Sequence, residues 1–290
     1  MYADLNSRIR FNDQFPTQKL IAVIIAHDKA TTGLATKSES SIRLPKDLEG
    51  KRIAAPQGDG SRQLFPLFAS LNKLNESSIT WINVAPELRE TMLLRGEADA
   101  ISGDSPTIMP NILSMGQPES SIRLIPYSDY GLALYGKALI VKPEFAEKNP
   151  EAVRNFIRGV VHGINALITD PDAALASVKK RDPLLKDDIE RGRIKMTLAY
   201  AFVTPNVLKN GYSAVDPTRL EGLLKELAQG LQLRPCRLPP TATPIGICRH
   251  APSCAWRNRM GPAAGFPGVR AIARHSLKMS GSSARMGDLS

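Results

Sequence analysis

Cysteine is absent from the first 235 residues; the three in the chain, Cys236, Cys248 and Cys254, crowd near the C-terminus. Residues 1–235 therefore hold no disulfide, no thiolate metal ligand and no cysteine nucleophile. That suits an exported protein without disulfides as well as a cytosolic one. Aromatic residues are scarce at 6%. No apolar run approaches the roughly eighteen residues of a membrane span. The N-terminus, MYADLNSRIRFNDQ, lacks an apolar signal-peptide core, so the chain as written is expected to be cytoplasmic. Acid is scarce at one end only. Of the net charge of +10, residues 236–290 carry +7, from seven Arg and Lys278 against Asp288, leaving +3 for the rest. Basicity that would suggest a nucleic-acid partner is thus confined to a tail, where binding would be non-specific electrostatics. No specific nucleic-acid partner is expected.

That tail has six Pro and six Gly and little periodicity. It reads as a disordered basic tail, with the composition that an out-of-frame reading of a GC-rich gene tends to give. Cys236, Cys248, His250 and Cys254 fit no paired-ligand spacing, so no metal site and no cofactor are expected.

What is present in the body is an alternation of short strands and helices. KLIAVIIA (19–26) has the apolar continuity of a parallel strand covered on both faces. LPKDLEG (44–50) reads as a helical turn closed by Gly50. KRIAAP (51–56), ITWINVA (79–85) and ADAISGD (98–104) read as strands, separated by helices over 58–74 and 86–97. That order makes βαβ units and a parallel sheet. KALIVK (137–142) is a further strand. A long amphipathic helix follows over 149–171, with Val153, Phe156, Ile157, Val160, Val161 and Ile164 at the helical period. Further helices are predicted over 170–181, 184–202 and 216–231, the last with Asp216 as its N-cap.

No catalytic set stands out. His27, just after the first strand, reads as a satisfied loop residue, and His162 as a structural one. PQGDGSRQLFP (56–66) offers more: Gly58 and Gly60 permit a tight turn, and Ser61 opens a helix whose first N–H groups point outward. Such a helix start holds anions or polar groups. Asp59 argues against a naked phosphate, and ordinary turn chemistry remains an alternative. Asp104 ends the strand 98–104 on the edge of the sheet where α/β proteins seat ligands. Finally, IPYSDYGLALYG (125–136) gathers Tyr127, Tyr130 and Tyr135, half of the six tyrosines, around Asp129.

The order of these motifs carries a resemblance. "LPKDLEGKRIAAPQGDGSRQLFPLF", "WINVAPELRETMLLRGEADAISG" and "YSDYGLALYGKALIVKPEFAEKNPEAVRNFIRG" together resemble the substrate-binding proteins of ABC importers. The subset is the nitrate/sulfonate/taurine type with thiamine-pyrimidine-synthesis-like domains, over residues 1–232. The resemblance implies an α/β fold of the two-lobed periplasmic-binding-protein type II, with parallel-type sheets flanked by helices. The second lobe would be 51–126 and the first 1–50 plus 127–235. MYADLNSRIRF resembles a helix that follows the family's first βαβ piece, so the first lobe is expected to be incomplete. The implied function is binding of a small polar or anionic organic ligand, pyrimidine-, flavin-precursor- or sulfonate-like, for the permease subunits of an importer. The family is periplasmic, and a monomer is expected. Implied ligand contacts are Gly58, Asp59, Gly60, Ser61, Asp104, Tyr127, Asp129, Tyr130 and Tyr135. Two alternatives stay open: a thiamine-pyrimidine-synthesis-like enzyme, disfavoured by the cysteine-free body, and the ligand-sensing domain of a regulator, though no helix-turn-helix precedes it.

Overall fold

Apolar residues alternating with Gly, Pro and capping side chains cut the chain into short elements, and the computed structural model describes residues 1–230. The chain opens with β1 (Tyr2–Asp4), α1 (Leu5–Gln14), β2 (Ile21–Ile25) and β3 (Thr32–Lys37). A 3-10 turn over Pro45–Leu48 runs into Gly50, whose φ of +74° glycine adopts without strain. Next come β4 (Arg52–Ala55), α2 (Gly60–Leu71), β5 (Thr80–Asn83), α3 (Arg89–Arg95), β6 (Ala100–Asp104), α4 (Ser105–Ser114) and β7 (Ile122–Pro126). After β8 (Lys137–Val141) the chain is helical: α5 (Pro143–Lys148), α6 (Pro150–Thr169), α7 (Pro171–Lys179), α8 (Asp187–Thr197), α9 (Pro205–Asn210) and α10 (Pro217–Gly230). The expectations for residues 231–290, including the disordered tail from 236, lie outside the described residues.

Two sheets result, one of five strands in the order β5-β4-β6-β3-β7 and one of three in the order β1-β8-β2. Parallel pairing holds for β4 with β5 and with β6, as the βαβ pattern predicts. Elsewhere the pairing is antiparallel. β3 runs against both β6 and β7, and β2, expected as a parallel strand, runs against β8 with an irregularity at Val23. Ala22 and Ile25 of β2 share the main core with Leu5 and Leu220, and Ala26, just past the strand, packs with Phe202. The five-stranded sheet includes residues 32–37, so the chain first passes from one sheet to the other over residues 26–31. The return crossing runs over 127–136.

The main core joins both sheets. Leu5, Ile25, Leu34, Phe65, Phe68, Tyr127, Tyr135 and Leu223 are buried in one continuous cluster. Leu93, Ile101, Ile108 and Ile112 form a second cluster on the other face of the five-stranded sheet. The stripe predicted for α6 is covered only at its C-terminal end. Ile164 and Ile168 pack on Ala26, Ala201 and Phe202, whereas Phe156 is 59% exposed.

Candidate binding cleft

Among the helices that begin on an aspartate are α1 on Asp4, α2 on Asp59 and α4 on Asp104. Aspartate suits the N-cap because its carboxylate accepts from a first-turn N–H and meets the positive end of the helix. Asp4 Oδ1 accepts from Ser7 N at 2.9 Å, and Asp59 Oδ1 accepts from Arg62 N at 2.9 Å. Asp104 does not cap its helix. Its Oδ1 accepts from Thr31 Oγ1 at 3.0 Å, and its Oδ2 lies 3.9 Å from Lys137 Nζ.

These helix starts meet where the two sheets face each other. Asp4, Asn6, Ser7 and Arg10 of one side and Gly60, Gln63 and Leu64 of the other enclose a gap of about 10 Å³. That is room for about one water. Arg10 Nη1 donates across it to Gln63 Oε1. Lys137 is the register partner of Asp4 in β1/β8 and also approaches Asp104 from the other sheet. Burial lifts the Asp4 carboxyl above its ordinary range; the hydrogen bond from Ser7 opposes this, and the charge of Asp104 adds to it. Asn6 is 1% exposed; its Nδ2 donates to Asp4 Oδ2 and to the Tyr135 carbonyl, while its Oδ1 has no partner. An unmade bond at a buried acceptor costs about 1–3 kcal/mol.

The residues implied by the resemblance divide into two groups. Gly58 is exposed in the turn that Asp59 N closes onto the Pro56 carbonyl. A Cβ at Gly60 would meet nothing within 4 Å, so this helix start is open to the cleft. Gly60, next to Asp59, lines the gap with Asp4, Asn6 and Arg10, while Asp104 is held by Thr31 and Lys137; the sequence reading did not select Asp4, Asn6, Arg10, Thr31 or Lys137. The D-L-N-S start of α1 was a legible N-cap signal. Nothing local told that α1 would face α2.

The other group is committed elsewhere. Ser61 is buried, its Oγ accepting from Gly33 N at 3.3 Å and its carbonyl from Tyr127 Oη at 3.1 Å. Tyr127 is fully buried, stacked on Phe68 at 4.3 Å, and burial, with the charge of Asp59, pushes its phenol well above the usual range. Tyr135 is buried as well, with Asp216 N donating to its hydroxyl at 3.0 Å and the Arg219 guanidinium 3.9 Å above its ring. Both phenols, expected at the ligand, are core side chains, because each ring fills a gap between helix and crossing segment and each hydroxyl satisfies backbone. Asp129 is exposed and pairs with Lys29 Nζ at 2.9 Å; Tyr130 is half-buried, edge-on to Phe68 at 6.3 Å.

A polar support lies behind the Asp59 turn. Ser102 Oγ donates to Asp59 Oδ1 at 2.6 Å. The buried Arg89 donates to the Ser102 carbonyl at 2.9 Å and to Glu90 Oε1 at 2.8 Å, and sits 3.9 Å from Asp59 Oδ2. Its guanidinium covers Gly103 so closely that a Cβ there would lie 2.5 Å from Nη1. His27 is buried at the first crossing, sharing a 2.7 Å hydrogen bond with Tyr2 Oη and meeting Phe202 edge-on at 5.0 Å. Among the described residues no group of three His, Cys, Asp or Glu could hold a metal ion.

The two-sheet architecture with two crossings is the periplasmic-binding-protein fold of type II. Residues 16–174, more than half of the chain, match the NMT1/THI5 like family, and the chain belongs to it. The alkanesulfonate-binding protein SsuA from Xanthomonas axonopodis pv. citri, bound to MOPS, is 20% identical with a TM-score of 0.55, over 81% of this chain and 74% of that one. The ligand-binding component of an ABC-type import system from Staphylococcus aureus, with zinc bound, is 9% identical with a TM-score of 0.55, over 80% and 74%. A periplasmic sulfonate-binding protein SsuA from Methylobacillus flagellatus KT is 13% identical with a TM-score of 0.51, over 93% and 73%. At these identities the likeness is one of fold. No curated protein matches the sequence.

Proposed function

We propose that this chain is the solute-binding component of an ABC importer, a binding module and not an enzyme. It takes a small polar organic molecule and delivers it to the permease subunits as a monomer, with no nucleic-acid partner. The observation that carries this reading is the meeting of two sheet-bearing lobes over the open helix start at Gly60, with polar side chains of both lobes turned to the gap. The first lobe comprises residues 1–26 and 137–230 and the second 32–126, the crossings serving as hinge. A ligand entering between them contacts the turn Gly58–Gly60, Asp104 and Asp4, while Asp129 and Tyr130 sit on the return crossing, Tyr130 stacking on a ring at the rim. A pyrimidine-, flavin-precursor- or sulfonate-like molecule enters only when the lobes part, since the gap as it stands holds about one water. No helix among the described residues is long and apolar enough to cross a membrane.

A thermal-shift screen of pyrimidines, flavin precursors, sulfonates and nitrate, followed by calorimetry on each hit, tests the reading. At least one should raise the midpoint by several degrees, since a ligand at 100 times its Kd stabilises by about 2.7 kcal/mol. A screen in which nothing binds the purified chain removes the proposal, and Tyr130→Ala with unchanged affinity removes the stacking role.

A further inference from the structure

Asn6 carries an acceptor that the protein leaves unused. It lines the gap between the two sheets, is 1% exposed, and its Oδ1 has no partner. Neighbours set the orientation of its amide: Nδ2 donates to the Tyr135 carbonyl at 3.1 Å and to Asp4 Oδ2 at 3.3 Å. Turned over, the amide would set its oxygen against two other acceptors. Oδ1 is therefore the atom left without a donor.

Across the same gap stand unused donors. Gly60 and Ser61 supply the first two amides of α2, and neither N–H reaches an acceptor among the described residues. The third, of Arg62, is taken by the Asp59 cap. Gly60 lines the gap, and a Cβ there would meet nothing within 4 Å. Arg10, also on the gap, gives Nη1 to the side-chain carbonyl of Gln63, so its guanidinium already holds a neutral amide oxygen. The lining carries one acid and one base, Asp4 and Arg10. Asp4 is committed to its own helix, accepting from Ser7 N, Ser7 Oγ and Asn6 Nδ2.

A bare oxyanion meets these donors but gives nothing to Asn6. An ammonium meets Asn6 but leaves the helix start unused. We propose that the cleft selects a neutral amide edge, a carbonyl with an adjacent N–H as in carboxamides, lactams and cyclic ureas. The carbonyl oxygen accepts from Gly60 N–H and Arg10, and the amide N–H donates to Asn6 Oδ1. The proposal rests on the solute-binding reading above and narrows it to one ligand class. The gap as it stands holds about one water, so the edge enters as the sheets part, and Arg10 exchanges the Gln63 carbonyl for that of the ligand.

Benzamide, acetophenone, benzoate and benzylamine share a ring and differ in the edge they present; each is titrated calorimetrically into the full chain at one ionic strength. Benzamide should bind at least about tenfold tighter than acetophenone, which keeps the carbonyl and lacks the N–H, because a buried acceptor left without its donor is costly. Benzoate and benzylamine should also bind more weakly than benzamide. Asn6→Leu should bring benzamide down to the level of acetophenone and leave acetophenone unchanged, whereas loss of fold would weaken both. Gly60→Pro deletes one donor at the first helical position, where proline is tolerated, and should weaken benzamide and acetophenone alike. Any of the other three probes matching benzamide, or a benzamide preference that survives Asn6→Leu, overturns the inference and leaves the binding-protein reading standing. Should none of the four bind while a compound of the wider screen does, that compound is titrated into the same two variants: weakening by both supports the inference, and indifference to either overturns it. If neither panel yields a ligand, both readings fall together.

Discussion

At the first crossing His27 is 5% exposed, hydrogen-bonded by one ring nitrogen to Tyr2, with Nδ1 unpartnered. Burial lowers its pKa from the ordinary 6.5 to about 3, and the charge of Lys137 adds to the effect. Between those two values the unfolded chain takes up a proton that the folded chain refuses. Stability therefore rises with pH across that window and is lost as pH falls through it, by up to about 1.4 kcal/mol per pH unit. Asp4, raised in the folded state, contributes with the opposite sign within its own titration range. Urea unfolding of wild type and His27→Phe at pH 7, 5.5 and 4.5 separates the two: the variant should lose most of the slope between pH 6 and 4, and an unchanged slope refutes the assignment. At this scale the sequence indicated which residues are polar and rare but not which way they point. Tyr127, Asp129, Tyr130 and Tyr135 stand together in the chain, yet two are core and two lie toward solvent. A three-residue turn at Gly131, with φ of +92°, is enough to send neighbours to different environments.

Elements with a strong period were legible, and those without one were not. β3 reads TGLATK, with little apolar signal, yet it lies inside the five-stranded sheet between β6 and β7. Its neighbours make it a strand. Gly33 packs against β7 so tightly that a Cβ would sit 2.6 Å from the Ile125 carbonyl oxygen and 2.9 Å from the Pro126 Cα. Both are backbone atoms that cannot swing away. Gly33→Ala should cost about 1–3 kcal/mol of unfolding free energy, the usual range for overpacking a tight site. Gly60→Ala, with open space around it, should cost less than about 1 kcal/mol. Denaturant midpoints for the pair check the difference, and equal losses contradict it. α6 carries the converse lesson: its apolar stripe was visible in the sequence, but a period cannot say whether a partner covers it, and Phe156 is left exposed.

At the proposed cleft a hydrogen bond from Arg10 on α1 to Gln63 on α2 links elements packed on the two sheets. One such bond contributes about 0.5–1.5 kcal/mol net. Arg10→Ala should therefore shift the unliganded chain toward an open form, with a larger radius of gyration in small-angle scattering, and weaken ligand binding about two- to tenfold. A variant unchanged in both measurements shows that this contact does not bias closure. By itself the sequence determined the parallel βαβ core, the Gly50 stop, the Asp216 cap of the last described helix and the membership that the motif order announced. These are local matters, fixed by periodicity, glycine conformation and N-cap chemistry within a few residues. Only the tertiary structure decided that β2 pairs antiparallel, that β3 belongs to the larger sheet, and that Asp4, Asn6 and Lys137 face Asp104 and Gly60. Those pairings join positions from 33 to 120 residues apart, and packing of the common core selects them, which no short window of sequence encodes.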